Sequence, residues 1–354
     1  MEMRFPQPGA EHLTAVAIHG RGVAATRISR RGIFGLALAA SAAFAGRPLK
    51  ALAAPKVRIG VLKFGTVSWE IDTIRHNGFD TANGIDLDVA YFAGEEATNV
   101  GLLAGALDII VSDWLWVSRQ RSEGGDLTLV PYSTAVGAIM VKQDSPILAI
   151  ADLKGRKLGI AGGALDKSWL LIQAMARRDH GIDLSAESEV VYGAPPLLSE
   201  KAKQGELDAV LNYWHFCARL EADGFRRLIG VGDAEKALGA SGPVSAVDYV
   251  FHEKWADENR QAVKGFIKAS AAAKKLLAKS DEAWLRLAPI MRAEGKELER
   301  LRDRYREGIP ARPAAEDAAD AAKLYEVLAG IGGEKLVGKA RRMAPGTFWT
   351  GIPQ

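Results

Sequence analysis

The sequence predicts an α/β protein of two similar lobes facing across a cleft, followed by a helical tail. Three observations carry this. First, Gly105-Ala106-Leu107-Asp108-Ile109-Ile110-Val111 returns 100 residues later as Gly205-Glu206-Leu207-Asp208-Ala209-Val210-Leu211. Each copy reads as a helix end, a glycine in the left-handed conformation that closes it, and a short apolar run suited to a buried parallel strand. Each run stops at a polar and aromatic cluster, Ser112-Asp113-Trp114 or Asn212-Tyr213-Trp214. Second, apolar runs alternate with helix-length segments, the signature of a parallel sheet covered by helices. Third, helical periodicity alone remains after Glu253. Ligands of open α/β sheets bind outside the carboxyl ends of strands, so the two clusters mark the expected cleft.

The elements follow in order. Val57–Leu62 alternates and reads as a strand; a polar turn, Lys63–Ser68, leads into a helix through about His76. Ile85–Tyr91 is a strand, Glu95–Ala104 a helix, Ile109–Val111 a strand, and Val117–Ser122 helical. Leu127–Tyr132 and Val136–Lys142 are strands. Asp152 is placed to cap a single helical turn that Gly155 ends, before a strand Lys157–Ile160. Gly162-Gly163-Ala164 opens a helix from about Lys167 to Asp179. Val190–Tyr192 is a strand, Leu197–Lys203 a helix, and Ala209–Tyr213, Arg227–Val231 and Val244–Phe251 are strands. The tail divides into helices Glu253–Ala278, Asp281–Glu294, Lys296–Ile309 and Glu316–Ile331, expected on the outside of a lobe.

With 354 residues, 48% hydrophobic and 25% charged, the chain is of ordinary globular composition and long enough for two domains. Its charge of +3 is misleading. Residues 1–53 hold seven of the 46 Lys and Arg and two of the 43 acids, so the remainder has 39 basic and 41 acidic residues, net −2. That excludes a polybasic nucleic-acid binder. The single Cys217 excludes an intrachain disulfide and a cysteine-rich metal site.

The first 53 residues read as an address. Ser29-Arg30-Arg31-Gly32-Ile33-Phe34 precedes an apolar run to Ala45, and Ala51-Leu52-Ala53 offers small residues to a signal peptidase. The Arg pair looks like a twin-arginine export signal, with a plain secretory signal or an uncleaved anchor as alternatives. Residues 1–53 are therefore set apart from the fold, cleavage is expected after Ala53, and the mature chain is expected in the periplasm.

One stretch carries a resemblance. Val141-Lys142-Gln143-Asp144-Ser145-Pro146-Ile147, followed by Asp152-Leu153-Lys154-Gly155-Arg156-Lys157-Leu158-Gly159, is similar to solute-binding proteins of ABC importers. The nearest branch serves nitrate, taurine and alkanesulfonates and includes binders of thiamine-pyrimidine precursors. The Gly-x-Leu-Asp strands and the Glu253–Trp284 tail match its order of elements, so the resemblance covers roughly 56–300. It implies the periplasmic-binding-protein fold: two lobes joined by two crossing hinge strands, with a C-terminal helical extension. The crossings fall near Pro131–Val141 and Val231–Val244. Lobe one is then 56–138 plus 245–354, and lobe two 139–242. The implied function is reversible capture of a small organic anion or zwitterion (sulfonate, taurine or nitrate type) and delivery to a membrane permease with its ATPase. A pyrimidine-like heterocycle, or a non-transport accessory role that presents a ligand, is the alternative. The implied protein is a monomer that uses no cofactor and binds no nucleic acid.

Candidate ligand contacts lie at the strand ends. In the turn Gly162-Gly163-Ala164…Lys167-Ser168, free backbone N–H groups and the helix dipole favour an anion, to which Lys167 and Ser168 add a charge and a hydroxyl. A plain turn with glycine for geometry fits equally; the resemblance tips Gly163, Lys167 and Ser168 toward binding. Gly65-Thr66-Val67-Ser68-Trp69 is the counterpart in lobe one, where Thr66, Ser68 and Trp69 are candidates and Ser68 could instead cap the helix. Ser112, Asp113, Trp114, Asn212, Tyr213 and Trp214 complete the set. Trp114 and Trp214 would supply flat walls, whereas Trp116 and Trp169 read as core. Asp113, if it faces the cleft, repels a pure anion, and with Lys167 opposite it suits a zwitterion such as an aminosulfonate. Asp113 as a helix cap is the other reading. Asn212–Phe216 departs from the Trp, Asp and Pro that relatives often carry there.

Catalytic readings find no support. The enzymes of this family that make a thiamine pyrimidine rely on a cysteine-rich signature that Cys217 cannot supply. A Gly-x-Ser-x-Gly elbow is absent. His76, His180 and His252 read as surface residues at helix ends, His215 alone is near the candidate site, and no His pair has metal-ligand spacing.

Overall fold

The computed structural model describes residues 54–351. The expected export segment, 1–53, lies outside the described residues. In chain order the elements are β1 (Lys56–Leu62), α1 (Val67–His76), α2 (Phe79–Ala82), β2 (Asp86–Phe92), α3 (Glu95–Leu103), β3 (Ile110–Ser112), α4 (Trp114–Ser122), β4 (Leu127–Ser133) and β5 (Ala138–Lys142). After a 3₁₀ turn at Ile150–Leu153 come β6 (Lys157–Ala161), α5 (Lys167–His180), α6 (Leu184–Glu187), β7 (Glu189–Gly193), α7 (Pro195–Gln204), β8 (Ala209–Asn212), α8 (Trp214–Ala222), β9 (Phe225–Gly230) and α9 (Val231–Ala237). The chain ends with β10 (Val247–His252), α10 (Glu253–Glu258), α11 (Arg260–Lys279), α12 (Asp281–Met291), α13 (Gly295–Glu307) and α14 (Ala314–Val337).

Two sheets of matching order form the two-lobed fold. In the first, β2 and β1 are parallel, a bridge from Ile59 to Ile109 joins β1 to β3, and β10 runs antiparallel between β3 and β4. The second has the order β7-β6-β8-β5-β9, with β5 antiparallel to both neighbours. The chain thus crosses between sheets from β4 to β5 and again from β9 to β10. At the first crossing a Cβ on Gly137 would collide with the Asn212 carbonyl oxygen, so glycine is what lets that strand lie against the start of α8.

The repeated motif has a structural basis. Gly105 (φ 70°) and Gly205 (φ 78°) both adopt the left-handed conformation expected of them. Oδ2 of Asp108 accepts the Arg58 N–H at 2.8 Å, and Oδ2 of Asp208 accepts the Lys157 N–H at 2.8 Å. Each Asp therefore ties the start of its own strand to the start of the neighbouring parallel strand, β1 or β6.

Several boundaries differ from expectation for local reasons. Asp113 accepts the Trp116 N–H at 2.9 Å and starts α4 at Trp114, not Val117. Helix α8 likewise starts at Trp214, directly after a strand that stops at Asn212. Val231 begins a helix rather than ending a strand, because Asp233 accepts the Gly230 N–H at 2.9 Å and closes the first turn. Asp152 sits inside its turn and accepts the N–H groups of Leu148 and Ala149 at 2.8 and 2.9 Å, in place of capping from outside. The expected helix 253–278 breaks at Asn259, whose side-chain amide donates to the Trp255 carbonyl at 2.9 Å. The single turns α2 and α6 had no periodic signal.

The tail does more than cover one lobe. Tyr325, Leu324 and Leu328 of α14 share a core with Trp114 of α4 and Trp169 of α5. Asp317 accepts the Ser245 N–H at 2.9 Å and Asp320 the Ser241 N–H at 2.9 Å, which docks α14 on the second crossing. On α13, Arg304 reaches Glu221 of α8 at 2.8 Å.

Candidate functional site

Four helices begin where strands of the two sheets end: α1 after β1, α4 after β3, α5 after β6 and α8 after β8. Their first residues contain most of the expected contacts. Asp113 and Asp166 each use Oδ1 to cap a helix, Asp166 accepting the Trp169 N–H at 3.1 Å. The second oxygen of Asp113 faces Lys167, at 3.2 Å from Nζ. This ion pair joins the start of the helix that follows β3 of the first sheet to the start of the helix that follows β6 of the second. Nζ of Lys167 also donates to the Ala246 carbonyl at 3.2 Å and lies 4.8 Å from the Trp114 ring centre.

The pair sits among acids. Burial alone would depress the Lys167 ammonium, but Asp113, Asp248 and Glu235 outweigh it and hold the group above its ordinary range. Asp248, on β10 opposite Ser112, is fully buried, and neither of its carboxylate oxygens has a hydrogen-bond partner. Burial raises it well above the usual carboxylate range; nearby Ser245 and Lys167 only partly offset this. Burial pushes Glu235 up to about 7 despite Lys167. Asp166 is raised by burial against its own cap bonds, and Glu95 at the start of α3 is raised by burial and by Asp113. Tyr213 is pushed up to about 12 by burial, Asp166 and Glu95.

The remaining expected residues divide between framework and wall. The Ser68 hydroxyl donates to the Gly65 carbonyl at 2.6 Å. Thr66 precedes α1 without capping it, and Ser112 ends β3. The Asn212 side chain is internally engaged: its amide donates to Pro195 O and Ser199 Oγ, both at 3.0 Å, and its oxygen accepts the Tyr213 N–H. Trp69 and Trp214 meet edge to face with ring centres 5.9 Å apart, and Trp284 joins them. Trp114 is 1% exposed and donates to the Ser245 carbonyl at 2.8 Å. The tryptophans expected as walls are thus packed inward, while Tyr213 keeps 38% of its surface exposed. Gly163 and Ser168 are half-buried beside Lys167. Of the two expected core tryptophans, Trp169 is fully buried and Trp116 half-buried.

Two concavities lie away from this cluster. One, of about 250 Å³, is lined by Arg58, Asp126 and His252, and the other, of about 270 Å³, by Arg227 and Gly230. His252, read as a surface residue, ends β10 half-buried with Nδ1 2.5 Å from Asp126. Among the described residues no group of three or more His, Cys, Asp or Glu is arranged to hold a metal ion, and no helix is long and apolar enough to cross a membrane.

The family model described as NMT1/THI5 like matches residues 74–283. The chain belongs to that family. Among solved structures it is similar to the periplasmic aliphatic sulphonate binding protein SsuA from Escherichia coli, with 20% identity and a TM-score of 0.65 over 83% of this chain and 97% of that one. It is also similar to the alkanesulfonate-binding protein SsuA from Xanthomonas axonopodis pv. citri bound to MOPS, at 18% identity and a TM-score of 0.62 over 84% and 99% of the two chains. The desulfurization enzyme DSZB shares the fold at 15% identity and a TM-score of 0.56, over 78% and 92%. No curated protein matches the chain. At these identities the likeness establishes the two-lobed fold, which serves binders and an enzyme alike.

Within this NMT1/THI5-like chain, the sequence reading missed Glu95, Asp166, Glu235 and Asp248. Glu95 and Asp166 each follow a strand and open a helix, the same position as Asp113, and that was the available signal. Asp248 interrupts the apolar run Val247–Phe251, where a charged residue in a buried strand is unusual.

Proposed function

We propose that the chain is the solute-binding component of an ABC importer, a binder that performs no chemistry. The observation that carries this reading is the Lys167–Asp113 pair, which places strand-end residues of both sheets against each other in a fold able to close by hinge motion. In this reading residues 1–53 are a twin-arginine-type export signal cleaved after Ala53, and the mature monomer works in the periplasm. Lobe one comprises 56–138 and 245–354, lobe two 139–242. Thr66, Ser68, Ser112 and Asp113 face Gly163, Lys167, Ser168 and Tyr213 around the solute, with Trp69, Trp114, Asn212 and Trp214 packed behind them as framework. The closed form delivers it to a membrane permease with its ATPase. Paired opposite charges at the cleft favour a small organic zwitterion over a bare anion such as nitrate.

The test is a thermal-shift screen of the full chain against alkanesulfonates, taurine, nitrate, carboxylates, amino acids and pyrimidines. Ligand at 100 times its dissociation constant stabilises by about 2.7 kcal/mol. A selective shift of a few degrees is expected from a small organic solute. Turnover of any member would contradict the reading, as would a panel without a single shift.

A further inference from the structure

Helix α13 is anchored in two directions. Toward the first sheet the anchors are buried. Tyr305 donates to Glu70 of α1 at 2.9 Å, and its ring meets Trp284 of α12 with centres 5.0 Å apart. Arg286 of α12 pairs with Asp72 of α1, and Arg306 donates to the Leu277 carbonyl of α11 at 3.0 Å. Just past α13, the Gly308 carbonyl accepts the Thr134 N–H of the first crossing at 2.9 Å.

The same helix also holds α8, which follows β8 of the second sheet. Arg304 grips Glu221 through two bonds, Nε to Oε2 at 2.9 Å and Nη2 to Oε1 at 2.8 Å. Arg219 of α8 donates to the Met291 carbonyl at the end of α12 at 2.8 Å and pairs with Glu297 of α13. Trp214 is 7% exposed and packs against Trp69 of α1 and Tyr305, with ring centres 5.9 and 6.4 Å away.

A turn of one sheet against the other cannot keep both sets of anchors. They differ in what breaking them costs. Glu70 is fully buried, so losing its partners would leave a charge out of water. Arg304 and Arg219 are half-buried, and ion pairs in partial contact with water are individually weak. The α8 seam is therefore the one that parts, and it resists because parting uncovers the Trp214 ring.

We propose that α12 and α13 form a clasp that stays with the first lobe and grips α8, so that Arg304 and Glu297 set the balance between open and closed forms without touching the solute. This rests on the two-lobed, solute-binding reading above and names the element that opposes opening. A solute that binds the closed form gains apparent affinity from the clasp, because more of the free chain is already competent.

The experiment is a distance measurement by pulsed electron–electron resonance on the solute-free full chain, spin-labelled at Tyr91→Cys and Tyr192→Cys. These exposed tyrosines occupy equivalent places, opposite Val61 on β2 and opposite Ile160 on β7. Both strands are the sheet edges away from β4 and β9, where the crossings leave, so their separation follows opening. Cys217 is fully buried, its thiol pushed up to about 11 by that burial, and stays unlabelled. The labelled parent is expected to show one dominant distance. Arg304→Gln leaves Glu221 paired with Arg227 at 2.7 Å, and Glu297→Gln leaves Arg219 on the Met291 carbonyl. Together they should raise the ratio of a longer-distance population about tenfold, and each alone should raise it part of the way. If Arg304→Gln does not fold, Glu297→Gln, at a partly exposed site, carries the test alone. Unchanged distances in the folded variants, even with a lowered urea midpoint, would overturn the clasp, as would a parent already dominated by the longer distance. Because no solute is added, either result leaves the solute-binding reading to its own thermal-shift screen.

Discussion

Glu235 is a residue whose ionisation the fold resists. It is 4% exposed, and burial raises it from 4.5 to about 7. Between those values the folded chain binds more protons than the unfolded one, so stability falls as pH rises and the full penalty stands above about 7. A shift of this size corresponds to about 3 kcal/mol at most. Glu235→Gln should therefore be more stable than the parent at pH 8 and nearly equal to it at pH 4.5, read by urea unfolding at both. Lys167 and Asp317 face the same group and titrate in both proteins, so the difference between variant and parent isolates Glu235. An equal pH slope in the two would contradict the account. At this scale the sequence was partly legible. The pairing of Asp113 with Lys167 was readable because both residues open helices after strands in lobes expected to face each other. Asp248 and Glu235 were not, since their neighbours come from β3, α5 and α14, distant in sequence.

The helix starts depend on buried polar anchors as much as on caps. Glu70 of α1 is fully buried and accepts from Ser270 at 2.6 Å, Lys274 at 2.7 Å, Tyr249 at 2.8 Å and Tyr305 at 2.9 Å. These bonds tie α1 to β10, α11 and α13. Removing one partner of such a pair leaves an uncompensated buried charge, which costs about 3–5 kcal/mol. Lys274→Met should lose that much stability in denaturant unfolding, and adding Glu70→Gln should recover a large part. A double variant no more stable than the single one would mean that the charge is not what matters. Element existence was legible almost throughout because period and glycine placement agree. Gly105 and Gly205 were predicted to close helices and do so with positive φ. The boundaries that moved are those set by side chains, at Asp113, Asp233 and Asn259, where one hydrogen bond overrides the hydrophobic pattern.

Across the whole molecule, two sheets of equal order exchange strands at two crossings, and the tail touches both. The repeat of Gly-x-Leu-Asp conveyed this symmetry because each Asp performs the same strand-joining task in its lobe. The embrace by α14 was not legible, since amphipathicity reveals that a helix packs but not on what. The central claim is that one solute is held between the lobes. Its most direct test is the affinity of a solute that shifts the parent's melting temperature, measured by calorimetry in two single variants of the full chain, Asp113→Asn from the first lobe and Tyr213→Ala from the second. Asparagine preserves the cap of α4, and Tyr213 is exposed enough to be removed without collapsing the core. The account predicts that each variant binds about tenfold or more weakly than the parent while remaining folded. Parent-like affinity in either would place the solute outside the cleft.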